Sequence, residues 1–212
     1  MKILNYLMTL TLILGVTIGM TAQKELNKGY FRLEITDISS DNEQIMAMAG
    51  MLKGSFTDIY FNPEKSLTKA NMMGGMTETT VLVDFKTNEN IMLMSMMGQK
   101  MKIDMDEEEF AKYNTGQMDA DAVKYEHFRD ETKDILGFTC HKVKMIVPEA
   151  QEANMTLWIT EEIKSEAFVT NGIQTEMLGG FPLEYVISVA GQMDMTMQAT
   201  KFEKDFSNDV FN

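Results

Sequence analysis

Apolar and polar residues alternate along most of the chain that follows its first 22 residues. The stretch GYFRLEITDI at 29–38 shows the pattern, because Phe31, Leu33 and Ile35 alternate with polar and charged neighbours. This period of two predicts a β-strand with one buried face. Similar segments recur about every ten residues with turn residues between them, the spacing of antiparallel all-β folds.

We therefore predict a mainly β (α+β) fold built on an antiparallel sheet of about ten strands. A five-strand meander over 55–105 is followed by a long hairpin over 122–147 and a closing hairpin around Gly191–Gln192. Gly98–Gln99 is the predicted two-residue turn of the last meander hairpin, since glycine accepts the positive φ that such turns need. Gly137 is predicted to mark a bulge.

One amphipathic helix is predicted over 41–53. Ser40 and Glu43 match the Ser-x-x-Glu capping box, which satisfies free N–H groups at a helix start, and Gly54 can end the helix. One helical face carries only apolar side chains, those of Ile45, Met48, Ala49 and Leu52. A second, short helix is predicted over 106–114.

Residues 1–22 have the pattern of a secretory signal peptide. Lys2 precedes the apolar stretch 7–20, and the small residue Ala22 precedes the expected cleavage point. An uncleaved membrane anchor is the alternative. We expect an exported protein, periplasmic or secreted, whose residues 23–212 form one domain that is soluble after cleavage.

Charge and cysteine content narrow the classes of function. The formal net charge of −13 disfavours nucleic acid as a partner, since phosphates need basic patches. Cys140 is the single cysteine, so no intramolecular disulfide can form, and we expect it to be a buried structural residue. No phosphate loop, zinc spacing or nucleophile elbow is present in the sequence, and we predict a protein that is not an enzyme and needs no cofactor.

Methionine is the unusual feature of the composition, with 22 residues. Met92, Met94 and Met96 alternate along one predicted strand, so their side chains share a face. The last strand repeats this arrangement with Met193, Met195 and Met197. Flexible thioether side chains suit surfaces that adapt to variable apolar partners, and they also bind Cu(I). Plain core packing is the third interpretation.

Several segments together resemble an exported bacterial protein family that is catalogued as a domain of unknown function. They are ILGFTCHKVKMIV, MTLWITEEIK, GGFPLEYVI and MTMQATKFEKD in the second half, with YFNPEKSLTKANMMGG and LVDFKTNENIMLMSMMGQKM in the first. That family is similar to the Lol-type periplasmic lipoprotein carriers. The resemblance implies a curved, incompletely closed β-barrel, with the 41–53 helix as a lid on its concave apolar side and the methionine strands as the wall beneath.

The favoured hypothesis is a non-enzymatic cell-envelope protein that binds a lipid, an acyl chain or another apolar ligand between sheet and helix. A Cu(I)-binding protein that uses the two methionine triplets is one alternative, with no metal site assigned. A structural protein that contacts another envelope protein is a second. The predicted ligand-binding residues form the apolar wall and lid: Ile45, Met48, Leu52, Met92, Met94, Met96, Trp158, Met193, Met195 and Met197.

Overall fold

Antiparallel β-strands make up most of the structure, a computed structural model that describes residues 25–105, 123–147, 153–164, 169–170, 173–174, 178–189 and 192–212. Within these residues, eleven strands belong to one sheet and two short strands pair separately. The strands are β1 (Gly29–Ser39), β2 (Phe56–Phe61), β3 (Lys65–Met72), β4 (Thr77–Asp84), β5 (Glu89–Met96), β6 (Gln99–Met105), β7 (Lys124–Ile135), β8 (Phe138–Ile146), β9 (Ala153–Thr160), β10 (Val169–Thr170), β11 (Ile173–Gln174), β12 (Phe181–Val189) and β13 (Met193–Glu203).

The large sheet has the order β6-β5-β4-β3-β2-β1-β13-β12-β9-β8-β7. The predicted meander is confirmed, because β2 to β6 are neighbours in chain order. The first strand then pairs with the last, which joins the meander to the second half of the chain. Since β6 and β7 lie at opposite edges, the sheet does not close, and the predicted mainly β fold on an open antiparallel sheet is confirmed.

Helix α1 (Glu43–Leu52) lies inside the predicted range 41–53. The predicted capping box is wrong: the Asn42 side chain accepts hydrogen bonds from the backbone N–H groups of Gln44 and Ile45, and Asn42 is the N-cap. Ser40 instead lies two residues before this N-cap, where its hydroxyl donates to the Gln192 carbonyl. The predicted ending is right, since Gly54 follows the C-cap residue with a φ of 82°.

One predicted turn is displaced by a residue, and one predicted bulge is a turn. The β5–β6 turn consists of Met97 and Gly98, with φ values of 51° and 85°, and Gln99 already belongs to β6. Gly137 is a turn residue with a φ of 84° and does not form a bulge. The register shift of this hairpin lies within β7, between Phe128 and Thr132.

A cluster of phenylalanine rings fills the core at one end of the sheet. Phe31 is fully buried at its centre, with ring centroids 4.7 Å from Phe202, 5.1 Å from Phe181 and 5.7 Å from Phe138. Aliphatic side chains of β1, β2, β8, β9 and β12 surround these rings. The burial of so much apolar surface is the main source of stability, at roughly 25 cal/mol per Å².

The predicted second helix at 106–114 lies outside the described residues. No helix within the described ranges is long and apolar enough to cross a membrane.

Candidate ligand-binding face

A row of apolar side chains crosses five neighbouring strands on one face of the sheet. The register pairs Ile38 of β1 with Met195, Met195 with Ile187, Ile187 with Met155, and Met155 with Met145. Directly paired residues in antiparallel strands point to the same face. We call these five residues the apolar row.

Burial changes along the strands from the core to the apolar row. The next row inward runs from Ile35 through Met197, Tyr185 and Leu157 to Val143, and Leu157 and Val143 are fully buried. In the apolar row itself only Met145 is buried, and the other four side chains are half-buried. The apolar surface of the core therefore continues outward into a partly open surface.

A bulge in β1 keeps two isoleucines on this face. The register shifts between Ile35 and Asp37, so that Thr36 is the extra residue. Without the shift, residues 35 and 38 would point to opposite faces, because side chains alternate along a strand. With it, Ile35 pairs with Met197 and Ile38 with Met195, and both isoleucines face the helix.

Helix α1 lies against this end of β1. Ala49 is buried, Ile45 and Leu52 are half-buried, and the outer side chains Met46 and Met51 are 42% and 52% exposed. A cavity of about 240 Å³ lies between helix and strand, and its lining includes Ile35, Ile38, Met46 and Ala49. The side chain of Met48 is outside the described part of the structure.

The two predicted methionine triplets share a face of the sheet but are not neighbours. Met193, Met195 and Met197 are half-buried on β13, next to the helix and β1. The register across the intervening strands places the β5 triplet, Met92, Met94 and Met96, on the same face. Four strands, β4, β3, β2 and β1, lie between β5 and β13. Five strand spacings correspond to about 24 Å along the sheet. The six sulfurs therefore do not surround one point.

Burial also separates the members of the β5 triplet. Met92 is buried at 1% exposure, Met94 is half-buried, and Met96 is 50% exposed. Met92 is thus a packed residue, whereas Met96 reaches solvent.

Trp158 is not brought together with the apolar row. It pairs with Glu184 and Lys142, while its neighbour Leu157 pairs with Tyr185 on the face of the methionines. Successive side chains alternate, so Trp158 faces the other side of the sheet. There the Lys133 ammonium lies 4.3 Å from the centre of its ring, and Lys133 also contacts the Glu184 carboxylate at 2.5 Å.

The opposite face is polar and has its own buried network on β1 and β2. Asp58, which is 8% exposed, accepts hydrogen bonds from the Tyr30 hydroxyl at 2.8 Å and from Arg32 Nε at 2.7 Å and Nη2 at 2.8 Å. Burial, then the bond to Asp58, raises the pKa of the Tyr30 hydroxyl well above its usual value. The sheet therefore has one apolar face with α1 and one face with paired charges.

A pair of histidines was missed by the sequence analysis. His127 on β7 and His141 on β8 have their Nδ1 and Nε2 atoms 3.2 Å apart, although the two residues are 14 positions apart in the chain. Burial lowers the pKa of His141, and Arg129 and His127 lower it further. The described residues hold no group of three or more histidine, cysteine, aspartate or glutamate side chains arranged for a metal ion.

Cys140 is buried, as predicted, and burial raises the pKa of its thiol to about 12. A thiol that stays protonated at neutral pH is a poor nucleophile. The side chain accordingly acts as a small apolar core residue that donates weakly to the Phe138 carbonyl at 3.6 Å.

Comparison with known proteins finds likeness in solved structures alone. A DUF1329 family protein from Desulfovibrio piger matches with a TM-score of 0.38 and 9% identity, over 91% of this chain and 92% of that one. MucB matches with a TM-score of 0.36 and 10% identity, over 90% of this chain and 58% of MucB. No family model matches the chain, and no curated protein does. At TM-scores under 0.5 neither likeness carries an argument about function, and the resemblance to the Lol-type carriers stays a prediction.

Proposed function

We propose that the protein binds an acyl chain, the apolar part of a lipid, along the apolar row and beneath helix α1. The observation that carries this proposal is the half-buried state of Ile38, Met195, Ile187 and Met155, which lie side by side on four adjacent strands. Apolar side chains left partly open in a continuous band favour contact with an apolar partner.

The dimensions of the site support a thin, flexible ligand. The cavity of about 240 Å³ between α1 and β1 is smaller than the pockets that enclose drug-sized compounds, which start at about 300 Å³. A segment of an acyl chain fits there, and the rest of the chain lies along the apolar row. Methionine side chains adapt to such a partner, because their unbranched thioethers change conformation at little cost.

The charge distribution supports a neutral apolar contact on this face. The buried ion pairs of β1, β2, β7 and β12 lie on the opposite side of the sheet, where Arg32 pairs with Asp58 and Lys133 with Glu184. The five residues of the apolar row are uncharged. Asp37 and Lys53 are the charged residues in the lining of the cavity, and a carboxylate or phosphate headgroup would be placed beside Lys53.

Titration of the delipidated protein with a fluorescent fatty acid tests the proposal, together with native mass spectrometry of the protein purified from cells that make it. We expect saturable binding and a co-purifying lipid mass. Met195→Glu puts a charge into the apolar row and should weaken binding about tenfold or more, since a carboxylate loses hydration against an acyl chain.

Thr196→Glu is the matched control, because Thr196 is the next residue of β13, is also half-buried and faces the opposite side. It should bind the fatty acid like the wild type. The proposal is overturned if the wild-type protein shows no saturable binding, or if both variants lose it equally.

A further inference from the structure

The hairpin at the edge of the sheet brings three methionines together across two strands. Met94 of β5 pairs directly with Met101 of β6, and Met96 lies two residues further along β5 on the same face. Paired Cα atoms in an antiparallel ladder are about 4.5–5.5 Å apart, and residues i and i+2 are about 7 Å apart. Three long thioether side chains therefore start within one small area and point the same way.

Core packing does not account for these methionines. Met96 and Met101 are 50% and 52% exposed, and Met94 is half-buried. Met92, two residues before Met94, is buried at 1% exposure, which marks where packing ends along β5. The side chains of Met96 and Met101 are thus open to solvent, and Met94 is half-buried beside them on the same two-stranded hairpin.

We propose that Met94, Met96 and Met101 form a Cu(I) site with three thioether ligands. Thioether sulfur is a soft ligand that selects Cu(I) over hard cations such as Mg²⁺ and Ca²⁺. The ligands come from both strands of the hairpin, so the site does not rely on sulfurs from a single strand. The ligands are neutral, and the overall charge of −13 favours the approach of a cation.

The β13 triplet does not combine methionines from two neighbouring strands. Met195 and Met197 pair with Ile38 and Ile35 on one side and with Ile187 and Tyr185 on the other, so no methionine lies directly across from either. Along this single strand the outermost side chains, those of Met193 and Met197, start about 14 Å apart, whereas the side chains of Met94, Met96 and Met101 start within about 8 Å of one another. Met94, Met96 and Met101 are therefore the test set, and the β13 triplet is a control within the same chain.

The experiment is a competition titration with the Cu(I) chelator bicinchoninate, without oxygen and with ascorbate present. The wild type should bind one equivalent of Cu(I). The variant M94L/M96L/M101L should bind about 100-fold more weakly or not at all, because leucine keeps the apolar volume but removes the sulfur. The variant M193L/M195L/M197L should bind like the wild type.

Affinity should also stay constant between about pH 5 and pH 8, the range in which a histidine site would lose protons, because thioethers carry no proton. Ag(I), which has no redox chemistry here, gives a second measurement on the wild type: the methyl NMR signals of Met94, Met96 and Met101 should shift, and that of Met92 should not. This result does not depend on the folding of a variant.

Equal affinity of the wild type and M94L/M96L/M101L would overturn the proposal, as would equal losses in both triple variants or an affinity that rises with pH like imidazole ligation. If the hairpin does not bind Cu(I), the acyl-chain proposal still stands, because the apolar row shares no residue with the hairpin. Leucine in the triple variants also keeps the substituted positions apolar.

Discussion

The buried carboxylate of Asp58 provides a direct test of the polar face of the sheet. Asp58→Ala removes the acceptor of three hydrogen bonds, two from the Arg32 guanidinium and one from the Tyr30 hydroxyl. Breaking a buried ion pair by removing one partner costs about 3–5 kcal/mol. The Arg32 side chain is 33% exposed and regains water, so we expect the low end, about 3 kcal/mol.

The free energy of unfolding follows from urea titrations monitored by circular dichroism, with the slope m unchanged if the native and unfolded states keep their exposed surface. Asp58→Asn keeps one acceptor oxygen but loses the charge, and should cost about 1–2 kcal/mol. Glu64→Ala is the matched control, since the Lys86–Glu64 ion pair is equally short at 2.6 Å but 66% and 54% exposed. It should change the stability by less than about 1 kcal/mol.

Equal costs for Asp58→Ala and Glu64→Ala would refute this reasoning. They would mean that the burial of Asp58 adds nothing to its pairing with Arg32.

Three further outcomes follow from the local structure. Asn42→Ala should destabilise the protein by about 1 kcal/mol in thermal unfolding, and Ser40→Ala should cost less, because Asn42 is the N-cap of α1. A larger cost for Ser40→Ala would mean that Ser40 caps the helix after all. Iodoacetamide should label Cys140 slowly at pH 8 in the native protein and quickly in urea, because burial raises its pKa to about 12; fast native labelling would contradict this. The NMR titration of His141 should give a pKa below the usual 6.5. Because the unfolded chain then takes up the proton first, the contribution of His141 to stability is lost as the pH falls below about 6.5. A pKa above 6.5 would be inconsistent with the burial of His141.

Strand identity and side-chain orientation could be predicted from the sequence because both depend on local periodicity. The alternation of Met193, Met195 and Met197 with polar residues is sufficient to place them on one face, whatever their partners are. The helix could be predicted for the same reason. Its N-cap could not, because Ser40 and Asn42 are both good caps and the choice depends on where the chain leaves β1.

Which residues pair across neighbouring strands could not be predicted as well as the strands themselves. A Gly98–Gln99 turn would have paired Met96 with Met101, whereas the actual Met97–Gly98 turn pairs Met94 with Met101. A shift of one residue in a turn changes every partner along a hairpin. The contact between His127 and His141 likewise depends on the register shift in β7, for which the sequence carries no clear signal.

The pairing of β1 with β13 has a consequence for the order of folding. Tyr30 pairs with Tyr60 on one side and with Glu203 on the other, so one neighbour of β1 comes from near in the chain and one from its far end. The β2–β6 meander can form from contacts that are local in the chain, but loop closure over more than half the chain must precede the β1–β13 ladder. We expect the meander to form early, with the edge of β1 that later pairs with β13 remaining open, and that edge to be the site of off-pathway strand pairing until β13 docks.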